Sequence, residues 1–377
     1  MNIQMVDLHG QYARLRIEID EAMANVINHT QFINGPETKE FAALLETYLN
    51  VAHVLPCGNG TDALQLALMA LGLKEGDEVI TPTFTFGATV EVVALLGLKP
   101  VFVDADPQTF NIDVSKIKEA ITSRTKAIIP VHLFGQGADM DGIMKVASLY
   151  NLFVVEDAAQ CLGADYEFGD GTVKKLGTIG HVGCTSFFPS KNLGCFGDGG
   201  ACFSNDALLA QTIKYIANHG SDKKYHHRRI GINSRLDTIQ AAVLMAKLPH
   251  LDEFNHRRQQ VAEWYDAGLS SIDEIDIPYR LGKGNHIFHQ YTIKVKNGRR
   301  QQLADYLKQH GVPSMVYYPV PMHRQEAFRK YVSADDRFPV AEQLADEVLS
   351  LPMHTELTYE QSIRTTGLIR QFFTCNP

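Results

Sequence analysis

The chain reads as an α/β protein, a mostly parallel seven-stranded sheet covered by helices on both faces, followed by a small C-terminal α/β domain. Three observations predict this. Between residues 50 and 204, short β-rich runs alternate with stretches of helical length. Those runs are almost continuously apolar, as strands buried on both faces are. Beyond residue 250 a second strand-helix-strand pattern begins, and 377 residues are too many for one small core.

The β candidates are 52–56, 78–82, 100–104, 126–132, 152–157, 181–188 and 200–204. Helical stretches lie between several of them, among them 62–71, stopped by Gly72, and 140–150. Polar helical sequence then runs from 205 to about 270. In the tail, 287–295 alternates like a half-exposed strand, 301–311 is helical, 313–320 is β-like and 358–372 is a closing helix. The expected division is a large domain, 1–250, and a small one, 251–377.

Composition narrows the function. A net charge of −8 speaks against nucleic acid or an anionic membrane as the main partner. No apolar run is long enough to span a bilayer, and residues 1–11 hold Asp7 and no apolar signal region, so a cytoplasmic protein is expected. The six cysteines show no CxxC spacing and suit reduced thiols. Fifteen histidines include no HExxH motif, and the adjacent pair His226-His227 chelates poorly, so no metal is expected.

Chemistry concentrates at strand ends. Lys191 sits between the strand end Ser186-Phe187-Phe188-Pro189-Ser190 and the glycines 194 to 200. Most lysines are solvated surface groups, but this one is flanked by aromatics and glycines. Desolvation lowers a lysine pKa, and the free amine can form an imine with an aldehyde cofactor. Asp157 ends an apolar strand, where open α/β sheets bind ligands. It either holds a proton on a pyridine nitrogen or caps the next helix. The turn Cys57-Gly58-Asn59-Gly60-Thr61-Asp62 opens a helix and is either a phosphate cradle or an ordinary capped turn. It is neither a Walker loop nor GxGxxG. Phe86 either covers a ring or is plain core. The cationic run from Lys223 to Arg229 is either a solvated helix end or an anion site, the latter suiting a small polyanion such as a nucleotide diphosphate.

Together these segments resemble the pyridoxal-phosphate-dependent sugar aminotransferases of fold-type I, the DegT/DnrJ/EryC1/StrS family. The resemblance spans nearly the whole chain. It runs through Val6-Asp7-Leu8, Ile33-Asn34-Gly35-Pro36, Asn59-Gly60-Thr61-Asp62, Glu156-Asp157-Ala158-Ala159-Gln160, the Lys191 segment, Asn233-Ser234-Arg235 and Tyr318-Pro319-Val320-Pro321. Within the family, the Lys191 segment and Tyr225-His226-His227 look most like enzymes that aminate UDP-linked 3-keto N-acetylhexosaminuronic acids for lipopolysaccharide O-antigen.

The resemblance implies roles for matching residues. Lys191 would bond to pyridoxal 5'-phosphate and shuttle protons, and Asp157 would pair with the ring nitrogen. Gln160 would bond the ring hydroxyl, and Phe86 would stack on the ring. Gly60, Thr61 and Ser186 would hold the phosphate, with Asn233 reaching it from the second subunit of a homodimer. Arg229, Arg235, Tyr317, Tyr318 and His323 would meet the substrate. Glutamate would leave its amino group as pyridoxamine 5'-phosphate and depart as 2-oxoglutarate, and the nucleotide-linked keto sugar would receive the amine. Tyr317 stands where relatives often carry His. A dTDP-linked 3- or 4-keto-6-deoxy sugar is the alternative substrate. A lyase and a cofactor-binding regulatory protein are the other readings, although no DNA-binding module is evident.

Overall fold

The computed structural model describes residues 3–223 and 225–375. Its main sheet has seven strands: β1 His53–Cys57, β2 Glu78–Pro82, β3 Lys99–Val103, β4 Thr125–Ile128, β5 Phe153–Asp157, β6 Val182–Ser186 and β7 Gly200–Ser204. They lie in the order β1-β7-β6-β5-β4-β2-β3. Only β7 runs against its neighbours, pairing antiparallel with β1 and β6. Because strand side chains alternate, Val79, Ala127, Val155 and Val182 pack on one side of the sheet. Ile80, Ile128 and Val154 pack on the other. Both faces are therefore covered, as the apolar runs predict.

Two helices matter most to the site: α1 Gly60–Ala70, which follows β1, and α2 Ala88–Leu95, which follows β2. Asn59 caps α1, its side-chain oxygen accepting from Asp62 N at 2.8 Å. The segment is a capped turn, but the cap is Asn59 and not Thr61 or Asp62, the residues that the capped-turn reading expects there.

The C-terminal region holds a three-stranded antiparallel sheet of Ile275–Asp276, Tyr291–Val295 and Val348–Leu351. Helices Leu251–Leu269, Arg300–Gln309 and Tyr359–Cys375 accompany it. Residues 3–5 join this region. Ile3 lies in its core, and Met353 N donates to Met5 O at 3.2 Å.

Two expectations differ. Segment 313–320 forms no strand and makes one bridge, Met315 to Ser350. Pro313 and Pro319 have no N–H to give a ladder, and Val348–Leu351 takes the place beside Tyr291–Val295 instead. Within the stretch expected to be helical, Ser221–Lys223 and His226–His227 form a short antiparallel pair. Gly220 and Tyr225 lie there at φ +67° and +66°. Lys224 of the cationic run lies outside the described residues. The six cysteines are unpaired, five of them buried. Among the described residues, no helix is long and apolar enough to cross a membrane.

One buried cluster ties the site strands together. Glu156, on β5, accepts from Gly177 N, Ile179 N and Gly180 N at 2.9, 2.7 and 2.6 Å and pairs with His132 Nε2 at 2.9 Å. The His132 Nδ1 atom accepts from Ala138 N at 3.1 Å, which leaves Nε2–H to donate. Burial alone would raise the Glu156 pKa. His132 and the backbone N–H groups outweigh it and hold the carboxyl below its ordinary value. The stability this lends is full above about pH 4.3 and fades as pH falls below that value. Glu156→Gln should cost about 2–4 kcal/mol in urea denaturation at pH 7. An unchanged midpoint would show that the cluster is not a structural anchor.

Candidate active site

The carboxyl ends of β2, β4, β5 and β6 meet with the amino ends of α1 and α2 on one edge of the sheet. Asp157 ends β5 and is buried, with 6% of its surface exposed. Its Oδ2 accepts from Thr89 Oγ1 at 2.8 Å and its Oδ1 from Ala159 N at 3.2 Å. Thr85 Oγ1 lies 3.1 Å from Thr89 Oγ1. Burial raises the Asp157 pKa, and Thr89, Ala159 N and the Lys191 charge pull it back.

Lys191 follows β6 in a tight turn closed by its own N–H to Phe188 O at 2.8 Å. Its side chain keeps some contact with solvent, yet the enclosed amine is pushed down to about 8 by burial, against the pull of Asp157. Among the described residues, Lys191 Nζ makes no hydrogen bond or ion pair. A free amine beside a carboxylate that is buried and hydrogen-bonded is the pairing that sequence alone left open.

Gln160 is buried and joins two segments. It accepts from Phe134 N at 2.7 Å and donates to Tyr318 OH at 3.1 Å. Tyr318 in turn lies 6.2 Å from Phe86, centroid to centroid. Phe86 is 57% exposed and is not plain core. Tyr317 is half-buried next to Tyr318. His323 is held away from solvent between Thr83 Oγ1 at 2.7 Å and Glu342 Oε1 at 3.0 Å. Its ring therefore already has both partners.

At the turn before α1, a Cβ on Gly60 would lie 2.7 Å from the Ser186 Cβ. The backbone of the turn thus sits directly against the end of β6, where a side chain would intrude. Thr61 and Ser186 flank it, both half-buried. Ser234 binds the same turn, accepting from Gly58 N at 2.9 Å and donating to Asp62 at 2.6 Å. It thereby places Asn233, exposed, and Arg235, half-buried, beside the turn. Arg229 goes elsewhere. It lines a cleft with Phe153, His181 and Asn205, at the opposite ends of the strands. Thr89 was missed by sequence reasoning, although the run Thr83-Phe84-Thr85-Phe86-Gly87-Ala88-Thr89 offers the hydroxyls that a buried carboxylate needs.

These residues fit one group. A glycine turn at a helix amino terminus suits a phosphate, a buried carboxylate suits a protonated ring nitrogen, and an unpaired amine suits an aldehyde. Fold and site together define a pyridoxal-phosphate-dependent transferase of fold-type I. Residues 14–369 match the DegT/DnrJ/EryC1/StrS aminotransferase family, and the chain belongs to it. The chain is 48% identical to the UDP-2-acetamido-2-deoxy-3-oxo-D-glucuronate aminotransferase of Pseudomonas aeruginosa, over 94% of this chain and 96% of that one. It is 45% identical to the UDP-N-acetyl-3-dehydro-alpha-D-glucosamine 3-aminotransferase of Acidithiobacillus ferrooxidans, over 98% and 97%. The crystal structure of S. venezuelae DesV in complex with a ketimine intermediate superposes with a TM-score of 0.94 at 39% identity, covering 98% of each chain.

Two outcomes follow from this geometry. Covalent capture of pyridoxal phosphate, read from its visible band, should speed up as pH rises through about 8, where the Lys191 amine loses its proton, and level off above. Lys191→Ala should abolish the band, and a band that persists would remove Lys191 from the site. Gly60→Ala should weaken cofactor binding about tenfold or more through its clash with Ser186. Unchanged affinity would place the phosphate elsewhere.

Proposed function

We propose that this aminotransferase moves the amino group of L-glutamate to the 3-keto carbon of a UDP-linked 2-acetamido hexuronic acid. The products are 2-oxoglutarate and the UDP-linked 3-amino sugar, so nitrogen and hydrogen balance across the two halves. Such a sugar serves lipopolysaccharide O-antigen synthesis, and a cytoplasmic enzyme belongs to the same reading. The single observation that carries the chemistry is the free Lys191 amine within the field of the buried Asp157. Support for the substrate comes from both relatives described above, whose names share UDP, a 2-acetamido or N-acetyl group and a keto group at carbon 3, while the uronate is in the name of the Pseudomonas aeruginosa relative alone.

The cofactor, when bound, supplies the electron sink and stores the amino group between half-reactions. Lys191 Nζ takes the proton from the donor's α-carbon and later delivers one to carbon 3 of the sugar, setting its stereochemistry. Asp157 keeps a proton on the ring nitrogen, and Gln160 and Phe86 orient the ring. Gly60, Thr61 and Ser186 hold the phosphate. Asn233 and Arg235 lie on a segment anchored at the rim and serve the site of the second subunit in a homodimer. Arg235 has no ion pair among the described residues, whereas Arg228 is bound to Asp222 at 2.6 Å. Arg235 is therefore the better partner for a uronate carboxylate, and Arg229, at the opposite ends of the strands, is the more distant candidate. Tyr317 and Tyr318 border the sugar, and His323 supports that wall. Division into domains 1–250 and 251–377 belongs to the same reading, with Ile3 packed on the second.

Tyr317, where relatives often carry His, favours testing a second reading, a dTDP-linked 3- or 4-keto-6-deoxy sugar. The decisive assay runs the reaction backwards from UDP-linked 3-amino uronic acid and 2-oxoglutarate, following glutamate release. Turnover with that sugar, with at least tenfold preference over dTDP-linked amino sugars, is expected, a preference of about 1.4 kcal/mol. Preference for the dTDP sugars would overturn the substrate assignment and leave the enzyme class intact.

A further inference from the structure

Asp157 faces a physical conflict. A carboxylate at the buried end of β5 resists ionisation, yet it can hold a ring nitrogen protonated only while it is itself ionised. Lys191 and His132 are the charged or titratable groups that act on it favourably, from the turn after β6 and the segment after β4. His132 is already committed to Glu156. The remaining support is the backbone N–H of Ala159, at 3.2 Å from Oδ1, and a hydroxyl chain on Oδ2.

Thr85 and Thr89 are both fully buried, so no solvent can stand in for either hydroxyl. An ionised Asp157 is an acceptor only, so Thr89 must spend its single proton on Oδ2, at 2.8 Å. The Thr89 oxygen can then only accept at the 3.1 Å contact, which makes Thr85 the donor there. The chain thus has one direction, Thr85 to Thr89 to Asp157. A protonated Asp157 would lose the reason for that direction. The threonines reach Asp157 from the loop after β2 and from α2, elements separate from those bearing Lys191 and His132.

We infer that Thr89, relayed by Thr85, is a positioning residue that keeps Asp157 ionised and aimed at the cofactor ring nitrogen. This rests on the reading that Asp157 meets that nitrogen. Pyridoxal phosphate itself is the probe. Thr89→Val keeps the shape and removes the donor, Thr89→Ser restores it, and Thr85→Val breaks only the relay.

Thr89→Val should raise the dissociation constant of pyridoxal phosphate about 10- to 100-fold, as loss of a charge-assisted hydrogen bond does, and alter the pH titration of the visible band. Thr89→Ser should stay within about threefold of the parent, and Thr85→Val should fall between. A folded Thr89→Val with parental affinity and spectrum overturns the inference. So does a serine variant that fails as the valine one does, since packing of the methyl would then be what matters. Should Thr89→Val not fold, Thr85→Val settles the matter: parental behaviour overturns the relay, and the intermediate shift supports it. If the parent protein forms no lysine-bound band at all, the reading of the site falls and this inference falls with it.

Discussion

Two adjacent carboxylates, buried at the end of one apolar strand, set the terms for the rest of this protein. Glu156 and Asp157 point to opposite sides of β5, because strand side chains alternate. On one side Glu156 gathers three backbone N–H groups and His132. That network binds the start of β6 and the loop after β4 to β5. On the other side Asp157 receives a threonine hydroxyl and one backbone N–H, fewer donors for the same charge. The contrast matches their tasks. One carboxylate is saturated and structural, while the other keeps bonding capacity for a ligand.

Around Asp157 the fold assembles groups that are weak alone. The amine of Lys191 gives up its proton more readily than an ordinary lysine because burial disfavours its charge, and Asp157 limits how far that goes. The turn before α1 approaches β6 so closely that only glycine fits at position 60. Gln160 and Tyr318 join the loop after β4 to the segment from the C-terminal region. Ser234 performs the same service for the turn at 58–62, and it carries Asn233 and Arg235 beside that turn.

The distribution of cations also has a physical logic. Arg229 and Arg235 are only six positions apart, yet they lie at opposite ends of the strands. The segment between them leaves the hairpin at 221–227 and pairs at Asn233 with Asn218. Arg235 belongs to the edge that holds the amine and carboxylate. Arg229 faces the opposite ends of the strands, beside Phe153 and His181.

Much of this was legible in the residues. Apolar runs of strand length, Gly72 as a stop and the strand-end positions of Asp157 and Lys191 follow from local chemistry, and all seven strands of the main sheet lie where those runs do. The motif order then pointed to the family. Local pattern failed at 313–320, where β-like residues yielded to prolines and to competition from Val348–Leu351, and at 221–227, where positive φ at Gly220 and Tyr225 turned an expected helix into a hairpin. The Thr85–Thr89–Asp157 chain was beyond it altogether. Asp157 lies 68 positions from Thr89, and hydrogen bonds over such separations depend on which strands become neighbours. Burial, which sets the charge of both Lys191 and Asp157, is likewise a property of the packed chain, so the sequence determined which groups could do the chemistry and only folding decided which of them would be ionised.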